Sequence, residues 1–398
     1  MIIGENRIAK ILMLSDSPTT VTGYATITRN ILNGLTEKGH ECFCIGHNYF
    51  GQDLLPGTTF KDGTQIKFNL LGTGKAPYAQ DILQQKIKEL KPDIFAVLLD
   101  TFMLYPWSLQ QDWSPAKTIF YFPSDGENRL PLNCENILKK FHVPVAMARF
   151  GQRQALAKHN LKTECIPHAC DIKNYFPLLD EQKQALKTKY GLQGKYVVGG
   201  VFRNQGRKMP DRMILAFKKF AEGKDDVVLF LHTDPQDGAA TNDLQNYIQE
   251  LGIQNKVRFS GMTFVKGFDY KDMNEVYNIM DTFFLSTSGE GFGVPTIEAM
   301  ACGVPVAITD FTTTHELLIE DGICGIPIKC CTEFLGNWNV TRGVMDIDAG
   351  AEALETLYQS KELREQYGKV GIEKVRKIYS WDVVIPMWDK LIKKMVDE

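Results

Sequence analysis

The sequence lacks an excess of charge of either sign. Its 398 residues include 45 Lys and Arg and 48 Asp and Glu, which gives a formal net charge of -3 at pH 7. A chain so nearly balanced has no general attraction to nucleic acid or to an anionic lipid surface. Nucleic acid is therefore disfavoured as a partner, whereas peripheral membrane contact through a local patch and the oligomeric state stay open.

Long apolar runs and metal-binding patterns are also missing. The N-terminal apolar stretch from Ile8 to Leu14 spans about seven residues, and a membrane-spanning helix needs about 20. The nine cysteines include no C-x-x-C pair, and His315-Glu316 lacks the second histidine of H-E-x-x-H. We therefore predict a cytoplasmic protein with reduced thiols, no metal site and no cofactor.

Two common nucleotide-binding signatures are absent. The segment Gly72 to Lys75 lacks the spacing of a phosphate-binding P-loop, and no G-x-G-x-x-G follows the first predicted strand. The sequence thus argues against a P-loop nucleotide hydrolase and against a dinucleotide-dependent oxidoreductase.

Short apolar runs alternate with helical patterns along the whole chain. Runs that are apolar on both faces and separated by helices are typical of parallel sheets covered on both sides. The length favours two domains, and a segment with Pro and Asp at 166–177 separates two such series. We predict an α/β protein in which two doubly wound, Rossmann-like domains, residues 1–175 and 176–380, face a central cleft. Residues 381–398 are predicted as a C-terminal helix that either ends the second domain or packs back on the first.

One glycine-rich loop has the pattern of an anion-binding site. Residues 281–309 read as strand, loop, short helix and strand, and the loop from Gly289 to Gly293 permits close approach of backbone N–H groups to a ligand. Pro295 suits the first turn of the helix, whose N–H groups and dipole favour a diphosphate. Glu298 is predicted in that same first turn, near the same ligand.

Two carboxylates, Glu290 and Glu298, would not suit a phosphate alone. Because carboxylates accept hydrogen bonds from hydroxyls, the pair fits a diphosphate flanked by two polyols, which is what a nucleotide-sugar presents. The alternative is that Glu290 is a surface loop acid and Glu298 an ordinary acid near the start of a helix.

The run from Glu290 to Asp310, EGFGVPTIEAMACGVPVAITD, resembles the E-x7-E signature of retaining GT-B glycosyltransferases, in particular glycosyltransferase family 4. The resemblance extends more weakly from the N-terminal strand to Trp381. It implies that Glu290 holds sugar hydroxyls, that Glu298 binds the ribose, and that the intervening loop contacts sugar or phosphate. The loop residues it assigns to the donor are Gly291, Phe292, Gly293 and Val294, with amide contacts from Phe292 and Gly293.

A basic turn follows the strand predicted at 195–201. Cations at the carboxyl end of a strand can neutralise a diphosphate and stabilise it as a leaving group. The family places an arginine here and a lysine five residues later, and the resemblance assigns these roles to Arg203 and Lys208. Arg207 is an additional cation without an assigned role, and a solvated basic turn is the alternative interpretation.

The residues that could contact the acceptor give weaker sequence signals. Gly23 joins the first strand to the first helix and is a candidate for close approach to the donor phosphate or the acceptor, with a plain structural turn as the alternative. Many relatives carry a His-Asp pair near Asp125, but Ser124 stands where the histidine would be. Asp125 therefore either binds a sugar hydroxyl, orients the acceptor, or forms a turn before Gly126.

The combined prediction is a retaining, metal-independent, hexosyltransferase-like enzyme that moves a sugar from a UDP- or GDP-sugar to a hydroxyl of a glycan, lipid or small molecule. Its catalytic candidates are Arg203, Lys208, Glu290 and Asp125. Base contacts are expected from the backbone at Gly261 and Met262. The alternatives are a non-catalytic nucleotide-sugar-binding protein, a glycosyltransferase acting on nucleic acid, and a sugar-nucleotide epimerase or a phosphorylase on the same architecture.

Overall fold

The computed structural model describes residues 7–20, 22–60, 63–127, 134–238, 240, 242–261, 263 and 268–398. The chain divides into two compact units. The first contains Met1–Ser124, Asn128–His168 and Trp381–Glu398, and the second contains Asp125–Glu127 and Ala169–Ser380. The second unit thus begins a few residues before the predicted limit at 175, and it takes in Asp125, which the sequence placed with the first domain.

The first unit is built on a parallel sheet. Its strands are β1 (Lys10–Asp16), β2 (Glu41–His47), β3 (Asn69–Leu71), β4 (Ile94–Leu98), β5 (Lys117–Phe122), β6 (Val143–Ala146) and β7 (Glu164–Cys165). They lie in the order β3-β2-β1-β4-β5-β6-β7. Every residue of β4, which reads IFAVL, is buried, as expected for a central strand covered on both faces.

Helices cover this sheet. They are α1 (Gly23–Glu37), α2 (Leu83–Leu90), α3 (Thr101–Leu104), α4 (Cys134–Lys140) and α5 (Arg149–His159), with a short 3-10 turn at Trp107–Gln110. The Thr22 hydroxyl caps α1 by accepting from the Ala25 N–H. Phe95, Phe120 and Phe122 are fully buried under the helices, and each contributes roughly 2 to 3 kcal/mol through burial of apolar surface.

The second unit is built on a second parallel sheet. Its strands are β8 (Tyr196–Val201), β9 (Val227–His232), β10 (Val257–Phe259), β11 (Thr282–Leu285), β12 (Val306–Thr309) and β13 (Gly325–Ile328), and β14 (Cys330–Leu335) and β15 (Thr341–Met345) form a separate antiparallel hairpin. The sheet order is β10-β9-β8-β11-β12-β13. Phe230, Phe283 and Phe284 are among its fully buried side chains.

The helices of this unit alternate with its strands. They are α6 (Asp180–Lys189), α7 (Pro210–Phe220), α8 (Leu244–Glu250), α9 (Tyr270–Asn278), α10 (Val294–Ala301), α11 (Thr314–Leu318), α12 (Ile347–Gln359) and α13 (Lys361–Ile378), with 3-10 turns at Gly206–Lys208, Gln254–Lys256 and Asn337–Asn339. Both sheets are therefore doubly wound, and the predicted fold class is confirmed. In each sheet the strand order reverses once, at β1/β4 and at β8/β11.

The last helix, α14 (Trp381–Asp397), belongs to the first unit. Its apolar face is buried there, with the Trp388 ring edge-on to Tyr121 at 4.9 Å. Asp389 lies 2.8 Å from the His40 ring. Of the two orientations that the sequence left open, the structure has the one that packs on the first unit. Within the described residues, no helix combines the length and apolar character needed to cross a bilayer.

Candidate functional site

Two loops meet where the strand order of the second sheet reverses. The loop after β11 is hydrogen-bonded to the turn that follows β8, because Ser286 Oγ donates to the Met209 carbonyl at 2.6 Å. The Ser288 N–H and hydroxyl both donate to the Arg207 carbonyl, at 2.7 and 2.8 Å. Ligands of doubly wound sheets bind at the carboxyl ends of the strands beside such a reversal. The structure thus joins the predicted basic turn and the predicted glycine loop into one candidate site.

Glu290 is the centre of an ion cluster in this site. Lys208 Nζ donates to Glu290 Oε1, and Arg207 Nη1 lies 3.2 Å from Glu290 Oε2. Arg207 also donates to the Gly289 carbonyl at 3.2 Å. Glu290 and Lys208 are each only 7% exposed, so this is a buried pair and not a surface contact.

The two buried partners shift each other's protonation. Burial by itself raises the pKa of Glu290, but the positive charges of Lys208 and Arg207 more than offset this and hold it at about 2. Burial lowers the pKa of Lys208 to about 8, with repulsion from Arg207 adding to the effect and attraction to Glu290 opposing it. At pH 7 the carboxylate is ionised and the lysine is mostly protonated. The site therefore holds one buried negative charge between two positive ones.

Backbone contacts fix the position of the Glu290 loop. The Thr312 hydroxyl accepts from the Glu290 N–H and donates to the Glu290 carbonyl, both at 3.0 Å. The Thr313 hydroxyl donates to the Phe292 carbonyl at 2.8 Å. Gly289 has a φ of 156°, and a Cβ there would lie 2.1 Å from the Asp125 carbonyl oxygen, so only glycine fits.

Helix α10 begins in front of this loop. Gly293 is its N-cap with a φ of 102°, and Pro295 lies in its first turn, as predicted. Within the described part of the chain, the N–H groups of Gly291, Gly293 and Val294 make no hydrogen bond. These donors and the positive end of the helix dipole can bind an anion.

Glu298 lies in the second turn of α10, not in the first as predicted, because the helix begins at Val294. Its Oε2 accepts from the Tyr277 hydroxyl at 2.6 Å. Burial raises the pKa of Glu298 to about 7, although the hydrogen bond from Tyr277 acts in the opposite direction.

The side chain of Phe292 packs inside the protein. The ring is 3% exposed and packs edge-on against Tyr379 with 5.6 Å between centroids. Any contact with a ligand is therefore left to the backbone of Phe292, which is how the resemblance assigned it.

Asp125 is held beside the same loop. Arg342, from β15, donates to the Asp125 carboxylate at 2.8 Å and to its carbonyl at 3.0 Å. Glu127 then pairs with Thr341 as a short antiparallel bridge. The carboxylate is thus engaged by an arginine, and the catalytic role of Asp125 stays a prediction.

Arg203 lies just after β8, but it forms an ion pair with Asp237 and not with Glu290. Its Nε and Nη2 bind Asp237 at 2.5 and 3.1 Å in a two-pronged ion pair. Among the described ion pairs, Glu290 is matched by Lys208 and Arg207 and not by Arg203. The role of Arg203 toward a diphosphate stays a prediction.

The remaining predicted site residues are Gly261, Gly23 and Met262. Gly261 follows β10 with a φ of 77°, and a Cβ there would meet nothing within 4 Å. Gly23, at the start of α1 in the first unit, also has open space in front of it. Met262 lies outside the described residues.

Four residues of the candidate site had no role predicted from the sequence: Arg207, Thr312, Arg342 and Tyr277. Arg207 had a signal, because it adjoins Lys208 in the basic turn. Arg342 had none, since it lies 217 positions from Asp125 and only the fold joins them.

Comparisons with known proteins cover the segment that contains this candidate site. The sequence model of the family described as "Glycosyl transferases group 1" matches residues 182–374, which include the Glu290 cluster and α10. Mannosylfructose-phosphate synthase of Agrobacterium fabrum is 32% identical over 151 residues, covering 36% of this chain and 32% of that protein. Spore coat protein SA of Bacillus subtilis is 25% identical over 228 residues, covering 56% of each. The matches thus span between about a third and about a half of these two curated relatives.

Solved structures resemble the chain over nearly its full length. Sucrose-phosphate synthase of Thermosynechococcus elongatus superposes with a TM-score of 0.78 at 15% identity, covering 97% of this chain and 99% of that one. Anabaena Alr3699/HepE, solved in complex with UDP and glucose, superposes with a TM-score of 0.73 at 15% identity, covering 97% of this chain and all of that one. At such identities the likeness concerns the fold. Residues 182–374, just under half of the chain, are thus similar to the group 1 glycosyltransferases, and the chain has the GT-B fold.

Proposed function

We propose that this chain transfers a sugar from a nucleotide-diphospho-sugar to an acceptor hydroxyl, with retention of configuration at the anomeric carbon. The observation that carries the proposal is the buried Glu290–Lys208 pair, joined by the half-buried Arg207, in front of the α10 N-terminus. It combines anion-binding groups with an ionised acceptor of hydroxyl hydrogen bonds, which is the chemistry that a sugar diphosphate requires.

The cations and the helix N-terminus would receive the diphosphate. Lys208 and Arg207 supply positive charge, and the N–H groups of Gly291, Gly293 and Val294 supply donors that cost no reorganisation. The same groups would stabilise the diphosphate as it leaves the sugar. Because this charge comes from side chains and backbone, the transfer is proposed to be independent of a metal ion.

Glu290 would bind the hydroxyls of the transferred sugar. In the donor-free protein its charge pairs with the half-buried Arg207 and with Lys208, which is buried where an unpaired charge is costly. An arriving diphosphate offers these cations a second negative partner. Glu290 can then accept hydrogen bonds from sugar hydroxyls while the cluster stays neutralised.

Retention of configuration is proposed without a protein nucleophile. Glu290 is ion-paired to Lys208 and Arg207, and Asp125 is held by Arg342. Both carboxylates are thus arranged to position groups. The acceptor hydroxyl would attack on the face that the diphosphate leaves, and its proton would pass to a leaving phosphate oxygen.

The decisive variant is Lys208→Gln, assayed for transfer or hydrolysis of the donor. Loss of a preorganised charge at a leaving group is expected to lower turnover by about 100-fold or more. The matched control is Lys187→Gln, because Lys187 is an equally buried lysine of the same unit, paired to Asp281 at 2.6 Å outside the candidate site. The control should retain turnover, and unchanged turnover in Lys208→Gln would contradict the proposal.

The donor itself is to be identified by thermal shift with UDP-sugars and GDP-sugars, since ligands that bind only the folded state raise its stability. A uridine donor is the first candidate, because the HepE structure contains UDP and glucose. Donor binding that is never followed by hydrolysis or transfer to any acceptor would instead favour a non-catalytic nucleotide-sugar-binding protein.

A further inference from the structure

The hairpin formed by β14 and β15 holds a short segment that comes from a distant part of the chain. Residues 125–127 follow β5 in the sequence but belong to the second unit. The Glu127 N–H donates to the Thr341 carbonyl at 3.1 Å, so the segment pairs with β15 as a short antiparallel bridge. Gly126 has no room for a side chain, because a Cβ there would lie 1.7 Å from Val340 Cγ1. The segment is therefore packed closely on the hairpin.

Two successive residues of β15 connect this segment to the glycine loop. Arg342 donates to the Asp125 carboxylate at 2.8 Å and to the Asp125 carbonyl at 3.0 Å. The Gly343 N–H donates to the Ser288 carbonyl at 3.1 Å. The Asp125 carbonyl oxygen in turn lies against Gly289, where a Cβ would come within 2.1 Å of it. The hairpin thus fixes Asp125 beside the first glycine of the loop.

Only one oxygen of the Asp125 carboxylate is used by this arrangement. Arg342 Nη2 binds Oδ2, and in the part of the chain that the structure describes Oδ1 accepts no hydrogen bond. The Asp125 side chain is 34% exposed, whereas that of Arg342 is 13% exposed. Because the guanidinium is a rigid planar fork, its two bonds fix the direction of the carboxylate as well as its place. The open oxygen is therefore oriented for one further donor.

The chemistry of this open oxygen suits a sugar and not a phosphate. Burial lowers the pKa of Lys208, and the charges of Glu290 and Asp125 oppose that effect, so Asp125 lies close enough to act on the same cluster. A carboxylate only accepts hydrogen bonds, and in a sugar diphosphate the hydroxyls are the donors. Asp125 and Glu290 thus provide two acceptors for hydroxyls around one glycine loop.

We propose that Arg342 is a positioning residue, which holds Asp125 so that its Oδ1 accepts a hydrogen bond from one hydroxyl of the transferred sugar. The β14–β15 hairpin thereby takes part in the choice of sugar, because a sugar without a hydroxyl at that place leaves Oδ1 without a donor. The inference rests on the proposed function, since it requires a nucleotide-sugar in the candidate site.

The test compares the affinity for a nucleotide-sugar with the affinity for the nucleotide alone, by calorimetric titration without an acceptor. The probe pairs are UDP-glucose with UDP and GDP-glucose with GDP, and the pair that binds more tightly is used. The ratio of the two affinities is followed from variant to variant. A general change of charge or packing acts on both members of a pair, so a change in the ratio reports on the sugar.

Three variants separate positioning from packing. Asp125→Ala removes a hydrogen bond to a charged group and should lower the ratio by about tenfold or more. Arg342→Gln leaves the carboxylate in place but no longer held, so the ratio should fall by about three- to tenfold. In the double variant the ratio should equal that of Asp125→Ala, because Arg342 acts only through Asp125.

The matched control is Arg364→Gln. Arg364 is a part-buried arginine of the same unit that donates to the Tyr358 carbonyl at 3.1 Å and lies over the Tyr196 ring, away from the Glu290 cluster. This variant should lose some stability in urea unfolding and keep the wild-type ratio.

The outcomes distinguish this inference from the proposed function. An unchanged ratio in folded Arg342→Gln would show that the hairpin only packs, which overturns the inference and leaves the function in place. A double variant with a ratio well below that of Asp125→Ala would give Arg342 a contact of its own and overturn its positioning role. If neither probe pair binds, the proposed function fails first and the inference with it.

Discussion

The two glutamates of the glycine-rich segment, Glu290 and Glu298, lie eight positions apart and have opposite electrostatic surroundings. Glu290 is paired with Lys208 and Arg207, and its pKa is lowered to about 2. Glu298 accepts a hydrogen bond from the Tyr277 hydroxyl, and burial raises its pKa to about 7. The same residue type in one motif thus forms a permanently charged group in one place and a titrating group in the other.

The difference has a simple physical origin. Burial raises the pKa of a carboxyl by removing water from its charged form, and a nearby cation reverses this only where the fold supplies one. The turn after β8 delivers two cations to Glu290, whereas α9 delivers a phenol to Glu298. Two carboxylates on one glycine-rich segment therefore differ in charge because different elements pack against them.

The largest effect should follow from Glu290→Ala. The change leaves Lys208 buried beside Arg207 without a counter-ion, so we expect the free energy of unfolding to fall by about 3 to 5 kcal/mol and sugar transfer to be lost. Urea unfolding and a donor-turnover assay measure the two effects. Asp281→Asn, which opens the Lys187 pair, is the control that should lose stability and keep donor affinity. A stability equal to that of the wild type would show that the cluster is not a buried charge pair.

A smaller loss of stability is expected when both partners are removed. In Glu290→Ala combined with Lys208→Met, no buried charge is left unpaired, so the double variant should recover a substantial part of the stability that Glu290→Ala loses. Its transfer activity should stay absent, because both functional groups are gone. Additive losses of stability in the two single variants would contradict a direct interaction between them.

The pH dependence of stability should separate the two glutamates next. The pKa of Glu298 is raised on folding, from 4.5 to about 7, so its protonation stabilises the fold below pH 4.5 and this contribution is lost as pH rises to about 7. The pKa of Glu290 is lowered on folding, so its contribution is constant above pH 4.5 and is lost as pH falls toward 2. Between pH 5 and 7.5, the urea midpoint of Glu298→Gln should therefore rise relative to that of the wild type as the pH increases. An unchanged slope would exclude a raised pKa for Glu298.

The smallest effect on stability should come from Arg207→Gln. The Arg207 side chain is 34% exposed, and pairs of this kind contribute about 1 kcal/mol or less. Donor affinity should nevertheless fall by about tenfold, because one of the two cations on the Glu290 cluster is lost. Calorimetry and urea unfolding together check this, and a loss of stability as large as that of Glu290→Ala would make Arg207 an equal partner of Lys208.

Much of this molecule can be read from local patterns. The apolar runs of β4 and β8, the glycine loop at 289–293 and Pro295 at the start of α10 depend on short-range backbone and burial rules. The sequence of consecutive residues around Glu290 also indicated the family. Such features are predictable because their physical causes lie within a few positions of each other.

Contacts between distant segments were not predictable. The bonds from Arg342 to Asp125 and from Tyr277 to Glu298, and the ion pair of Arg203 with Asp237, depend on which segments of the second unit the fold brings together. The sequence also placed Glu298 one turn too early, because a helix start is defined by backbone geometry and not by the proline alone.

By itself, then, the sequence determined the two series of strands and helices and the presence of two carboxylates around one glycine loop. Only the tertiary structure decided that Glu290 is held as an anion by Lys208 and Arg207 and that Glu298 is hydrogen-bonded to Tyr277. The physical reason is that the charge of a buried carboxyl depends on distances to groups from other elements, and folding sets those distances.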